Sequence, residues 1–269
     1  MSSEPVRGDD RVHPHLVVRD IDRVRILRID REEKLGALST ELVAALGEQI
    51  VRVRQNSDIR AVVLTGTGRG FIAGADVGEY FETSAETFAE YQRRSRQVFD
   101  DLERLPQPTV AAVNGYAFGG GFEVALCCDF IFASEQARFA LPEVKLGLVP
   151  GGGGTQRLRR AVGARLAKEI IMTGRTVRPD EALRRGIATE VVDAGTLLDA
   201  ATAFAGTLSV CAPLAVQETK RLVDDGGVQD ISAALTSEQL ALSRLFRSAD
   251  GQEGVRAFIE KRDPVFRGV

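Results

Sequence analysis

Apolar and polar positions alternate over Val24–Ile29, in the order Val-Arg-Ile-Leu-Arg-Ile, and this spacing predicts a strand. Ala61–Leu64 and Val110–Val113 are short unbroken apolar runs, the mark of strands buried on both faces; Gly66 ends the first. Between them the period lengthens to that of a helix. Residues 40–53 follow a Ser39/Thr40 cap with Glu41 in the first turn, and residues 83–105 run until Pro106-Gln107-Pro108 stops them. A helix is expected from about Gly120 to Cys128 and a strand over Phe130–Ala133. This β-α-β alternation predicts an α/β fold with a mostly parallel sheet covered by helices.

From about Gly154 onward the pattern turns mainly helical. Pro179-Asp180-Glu181 opens a short helix, Thr189–Val192 is a lone strand, and helices are expected near 196–208, 213–225, 230–248 and 250–260. Ile231, Leu235, Leu240, Leu242, Leu245 and Phe246 fall on more than one helical face. A helix apolar on two sides needs two partners, so part of this region is expected to pack on another subunit. The chain therefore divides into a disordered polar tail over 1–14, an α/β core over 15–195 and a helical oligomerisation region over 196–269.

Composition narrows the class without naming a function. With 269 residues, 44% of them apolar and 27% charged, the chain suits a soluble globular protein of one large domain or a domain with a helical appendage. A formal charge of −3, with 13 Phe, 3 Tyr and no Trp, argues against nucleic acid or an anionic membrane as the main partner. No stretch approaches the roughly 20 apolar residues that span a bilayer, and the opening MSSEPVRGDDRVHP lacks the apolar core of a signal peptide. A cytoplasmic protein is expected.

The cysteines, Cys127, Cys128 and Cys211, form neither a disulfide framework nor a zinc spacing, and buried, unreactive thiols are expected. The only histidines, His13 and His15, lie in or beside the tail. A histidine-based triad or metal site in the body of the fold is thereby excluded.

Glycine runs and acids carry the candidate chemistry. Gly66-Thr-Gly68-Arg-Gly70 and the later runs match neither the dinucleotide fingerprint nor the phosphate loop, so no nucleotide cofactor is expected. Gly119-Gly120-Gly121 precedes Glu123 on an otherwise apolar helix, and burying a carboxylate there costs several kcal/mol unless it is partnered or protonated. Glu143 follows Pro142 and leads into Pro150 and Gly151–Gly154. Two carboxylates beside exposed backbone N–H groups suggest acid/base chemistry on a carbonyl whose oxygen sits in an oxyanion hole. The glycines could equally serve close helix–strand packing. In Phe71-Ile-Ala-Gly-Ala-Asp-Val77, small residues let a ligand approach the backbone, or form a tight turn with Asp76 as a helix N-cap.

Five segments together resemble the enoyl-CoA hydratase/isomerase, or crotonase, family: DREEKLGALS, FIAGADVGEY, PTVAAVNGYAFGGGFEVALCCDF, FALPEVKLGLVPGGGGTQRL and EGVRAFIEKRDPVF. The resemblance implies a crotonase-like spiral of β-β-α units with a mainly helical C-terminal region. It implies an oxyanion hole from the amides of Ala75 and Gly120, and Glu123 and Glu143 as the pair that handles water and proton. Gly151 would position that water. Leu35, Ala37, Ala73, Gly74, Ala75, Asp76, Val77 and Gly120 would line the acyl-CoA path, with Phe258 and Lys261 completing the CoA site, often from a neighbouring subunit. Gly36 stands where the family has Asn, which is expected to loosen the loop, and Gly78 where a basic residue is often found. The implied activity is hydration of a 2-enoyl-CoA by a homotrimer or homohexamer, with no metal and no cofactor beyond the CoA of the substrate. Branched or aromatic enoyl-CoA hydration, dehydration, isomerisation, RNA binding or a non-catalytic role are the alternatives the resemblance leaves.

Overall fold

A computed structural model describes residues 8–269, and these form two sheets. The larger has seven strands in the order β1 (Asp10–His13), β2 (Leu16–Ile21), β3 (Val24–Ile29), β4 (Ala61–Gly66), β6 (Thr109–Val113), β8 (Phe130–Ser134) and β10 (Glu190–Val192). β1, β2 and β3 pair antiparallel; from β3 onward every pairing is parallel. The smaller sheet joins β5 (Gly70–Ile72), β7 (Tyr116–Phe118) and β9 (Arg138–Ala140), all parallel.

The apolar runs are continuous because the large sheet is covered on both sides. Val24, Ile26, Ala61, Val63, Val110, Ala112 and Phe132 point to one face, and Leu27, Ile29, Val62, Leu64, Ala111, Val113 and Ile131 to the other. The second face carries α1 (Thr40–Gln55), α2 (Ala85–Glu103), α3 (Gly120–Cys127) and the small sheet. α1 and α2 begin on Ser39 and Ser84, whose hydroxyls accept from the amides three residues on. α4 (Gly154–Val162), α5 (Ala164–Thr173) and α6 (Pro179–Arg184) follow.

The first face is covered by α7 (Leu197–Ser209), whose Leu197, Ala201 and Ala205 are fully buried against the sheet. Phe204 meets Phe130 edge-on, with ring centroids 4.8 Å apart. The expected division at residue 195 is thus corrected: α7 is a layer of the core, because its small residues let it lie flat on the strands. The outer helices are α8 (Pro213–Gly226), α9 (Ile231–Phe246) and α10 (Ala249–Glu260), whose only buried residues are Ala241, Asp250 and Ala257. Ile231, Leu235, Leu240, Leu242 and Phe246 stand exposed in the chain taken alone.

The tail is also shorter than expected. Residues 1–7 lie outside the described residues, but Asp10–His13 is an edge strand paired with β2 and tied by the Arg11–Asp30 ion pair. Its side chains are mostly polar and exposed, so no apolar alternation marks it. Among the described residues no single helix is long and apolar enough to cross a membrane.

One glycine contact fixes the small sheet against α3. A Cβ on Gly121 would stand 1.8 Å from the Ile72 carbonyl oxygen, a backbone atom that cannot step aside. Gly121→Ala is therefore expected to destabilise the fold by at least the ~1–3 kcal/mol typical of overpacking, read as a lowered denaturation midpoint. A midpoint equal to that of the parent protein would show that the helix can shift without cost.

Candidate active site

The three short strands end side by side, and each delivers one part of a cavity of ≈ 410 Å³. β5 leads into Ala73, Gly74, Ala75 and Val77; β7 into Gly119, Gly120 and, one helical turn on, Glu123; β9 into Pro142 and Glu143. α2 closes the cavity with Phe88, Tyr91, Gln92, Ser95 and Phe99, and Gly151 and Gly152 form the rim before α4. The carboxyl ends of parallel strands are where open α/β sheets bind ligands.

Two backbone amides in the cavity are uncommitted. The Leu38–Ala75 bridge uses the Gly74 carbonyl and the Asp76 N–H, each at 2.8 Å, so the Ala75 N–H points away from it. Gly120 opens α3, where the first N–H groups have no intrahelical acceptor. Among the described residues neither amide donates to a backbone carbonyl outside the helices and strands. Gly119, at φ 51° and ψ −123°, takes a conformation essentially reserved for glycine and turns the chain into α3.

The two readings of the triplet now separate. Gly121 packs against β5, whereas a Cβ on Gly120 would meet only Leu38, Phe99 and the Ala75 nitrogen at 3.9–4.0 Å. Nothing in the protein requires glycine at 120. The space a side chain would fill there is the space between the two amides.

Glu123 is 3% exposed. Its Oε1 accepts the Gly154 N–H at 2.7 Å, and the Gly152 amide faces the same carboxylate. Burial pushes the pKa up, and these amides and then the Arg157 charge offset part of that shift without reversing it. Glu143 is half-buried in a 3-10 turn over Glu143–Leu146, and its Oε2 is buried with no hydrogen-bond partner. Burial pushes this carboxyl up to about 7, its own amide opposes the shift, and the charge of Glu123 adds to it. Burial thus pushes both carboxyl groups on the cavity up, but Glu123 has amide donors that support its ionised form and Glu143 Oε2 has none.

Of the residues singled out in the sequence, Ala73, Gly74, Ala75, Val77, Gly120, Glu123, Glu143 and Gly151 line this cavity. Leu35, Ala37 and Asp76 stand behind the wall. The Leu35 carbonyl holds the Ala73 amide at 3.0 Å, and the Ala37 carbonyl accepts from Arg31. Asp76 stands at the N-cap of the 3-10 turn Val77–Glu79 without a capping bond from its side chain, which pairs instead with Arg31 at 2.8 Å, with Lys34 3.8 Å away. Phe258 and Lys261 are exposed at the end of α10 and lie outside the cavity of their own chain. The loop at Gly36 is tight, contrary to expectation: φ is +75°, and a Cβ would come within 2.5 Å of the Phe71 carbonyl oxygen. The sequence reading named no individual residue of the α2 wall, although Phe88, Tyr91, Ser95 and Phe99 share one helical face. It also missed Arg157.

Comparison with known proteins agrees with this geometry. Residues 21–269 match the family model for enoyl-CoA hydratase/isomerase. A short-chain-enoyl-CoA hydratase of Clostridium acetobutylicum is 39% identical over 249 residues, covering 92% of this chain and 95% of that protein. A crotonyl-CoA hydratase of Syntrophomonas wolfei is 35% identical over 255 residues, covering 94% and 98%. The crystal structure of an enoyl-CoA hydratase from Bacillus anthracis superposes with a TM-score of 0.92 at 35% identity, covering 95% of this chain and all of that one. The chain belongs to the enoyl-CoA hydratase/isomerase family and has the crotonase fold.

The unpartnered Glu143 has a consequence for stability. Its folded pKa of about 7 lies above the ordinary 4.5, so the unfolded chain ionises first as pH rises between those values and the fold loses stability. Glu143→Gln cannot ionise. Its melting temperature should rise relative to the parent protein as pH passes from about 4.5 to above about 7. A difference independent of pH would place Glu143 in ordinary solvent.

Proposed function

We propose that this protein is an enoyl-CoA hydratase that adds water syn across the C2=C3 bond of a short-chain 2-enoyl-CoA thioester. The observation that carries the reading is the pairing of two uncommitted amides with two buried carboxyl groups, one held by backbone N–H groups and one without a donor, in one cavity. The thioester oxygen is held by the N–H groups of Ala75 and Gly120, which stabilise the enolate character that develops at C1–C2. A removed oxyanion donor typically costs about 3–4 kcal/mol of transition-state stabilisation. Glu123, whose carboxylate accepts from the Gly152–Gly154 loop, takes the proton of the water that attacks C3. Glu143, favoured as the acid, gives a proton to C2. The Gly151 amide positions the water. Phe99 closes the inner end of the cavity and is nearly fully buried, which suits a short acyl chain, as do the names of the two relatives.

On this reading no metal or added cofactor takes part, CoA being part of the substrate. The three cysteines, free in the structure, suit a reducing cytoplasm. The working unit is a homotrimer or a dimer of trimers. The exposed apolar residues of α9 and α10 support it, as does the position of Phe258 and Lys261 away from their own cavity, where they would serve a neighbour's CoA.

Crotonyl-CoA hydration tests the chemistry. Glu123→Gln and Glu143→Gln should each fold and each lower kcat by about 10²–10⁴-fold, the range for a general acid or base. In the parent protein kcat/KM should fall as pH rises through about 7, where Glu143 loses its proton. Near-parent turnover in folded Glu143→Gln would sink the two-carboxylate mechanism.

The partner-subunit contact is tested separately. Lys261→Ala should raise KM more than it lowers kcat, because a CoA phosphate contact is shared by ground and transition states. Light scattering should show an oligomer at micromolar protein, and a fully active monomer would overturn the assembly.

A further inference from the structure

Arg157 is a charged residue almost absent from the surface: its side chain is 6% exposed, on the first turns of α4. Every nitrogen of its guanidinium is engaged. Nε donates to Glu103 Oε1 at 2.9 Å, and Nη2 donates to Glu103 Oε2 at 2.6 Å and to Asp100 Oδ1 at 2.9 Å. Nη1 turns back and donates to the Gly152 carbonyl oxygen. The same nitrogen lies so close to Gly153 that a Cβ there would be 2.2 Å away.

Gly152, Gly153 and Gly154 form the loop whose amides face Glu123. A Cβ on Gly152 would stand 2.7 Å from Glu123 Oε2, and the Gly154 N–H binds Oε1. The loop carries no side chains of its own to hold it. Arg157 holds it from behind, anchored to α2 through Asp100 and Glu103, while the Gln156 and Arg157 amides of α4 donate to the Gly153 carbonyl at 3.0 Å.

We propose that Arg157 is a positioning residue for hydration, clamping the Gly152–Gly154 loop to α2 so that its amides hold the Glu123 carboxylate at the angle the attacking water requires. The proposal rests on the reading of Glu123 as the general base. A buried ion cluster kept only for stability is often replaceable by an apolar side chain of similar volume with little loss. Here the cluster spans two helices and ends on the loop that aims a reacting group. A misplacement of about 1 Å in such a group can cost 10²-fold in rate.

The charged and titratable groups around Glu123 and Arg157 come from several elements: Arg96 on α2, Arg157 on α4, Glu143 after β9 and the neutral Cys127 thiol on α3 beside Glu123, with Asp100 and Glu103 of α2 on Arg157. Arg157 and Arg96 favour the carboxylate, and Glu143 when ionised opposes it. Loss of Arg157 would therefore raise the pH at which Glu123 becomes ionised, and the acid limb of the kcat/KM profile would move upward.

The test uses the full-length enzyme as it assembles, with crotonyl-CoA, from about pH 5 to about pH 9. Arg157→Met should retain the fold by circular dichroism and lower kcat by about 10–10²-fold with KM changed less than about 2-fold. Its acid limb should shift upward. Arg157→Lys should return the limb toward its original position, because the charge is restored. Only part of the rate should return, since one ammonium cannot reach all three partners. In a Glu123→Gln background Arg157→Met should cost nothing further, as expected of a residue that acts through Glu123.

A folded Arg157→Met with parent kcat and pH profile overturns the proposal, as does a loss that adds in full to that of Glu123→Gln. If Arg157→Met does not fold, Glu103→Gln carries the test, with a several-fold lower kcat and the same upward limb shift expected and parent behaviour overturning the proposal. Parent turnover in Glu123→Gln would instead overturn the hydratase mechanism itself.

Discussion

The active site depends on backbones that approach too closely for any side chain to come between them. Gly121 presses α3 onto the Ile72 carbonyl, and a Cβ on Gly115, just before β7, would lie 1.9 Å from the Arg69 carbonyl oxygen. These contacts hold β5 and β7 in one register, and β9 pairs on the far side of β7. Three strand ends then open onto the same space. The large sheet and its helices supply most of the apolar burial, but their contribution to chemistry is to keep this small parallel sheet in place.

Electrostatic asymmetry follows from where each chain segment goes next. After β7 the chain enters a helix, and Glu123 on its first turn finds the amides of a second helix's approach loop. After β9 it makes a half-buried 3-10 turn, and Glu143 finds no donor for Oε2. Residue type is the same and burial raises both groups, but the surroundings alone give one carboxyl group amide donors and leave the other without. Among the described residues neither carboxyl group meets a lysine or arginine at ion-pair distance. Such a partner would lock one protonation state and prevent proton exchange.

The large sheet was legible in the sequence because strands covered on both faces must be apolar at every position, as in β4, β6 and β8. The small sheet was not. Three residues per strand cannot display a period, and Tyr116-Ala-Phe118 reads as part of a glycine-rich loop. β1 escaped notice because a mostly polar edge strand needs no apolar alternation; α7 was expected as a helix, but its place in the core was not, because alanines do not announce which layer they cover. At the site, Glu123, Glu143 and the glycine segments stood out by composition and by resemblance. Arg157 did not, since a helix that also carries Arg159 and Arg160 reads as solvated. Its burial depends on Asp100 and Glu103, more than fifty positions earlier, a pairing that no local pattern encodes.

The two halves of the site differ in how they can change over generations. On the proposed reading the grip on the carbonyl oxygen is made of main-chain N–H groups, which nearly every amino acid carries, so an exchange at Ala75 that respects the available space leaves the donor intact. The carboxyl groups are side chains on separate segments, each removable by one codon change without moving the other. A lineage built on this fold can therefore keep its hold on one kind of activated acyl group while exchanging acids and bases around it singly. Reactions that pass through an enolate-like state become near neighbours in sequence space.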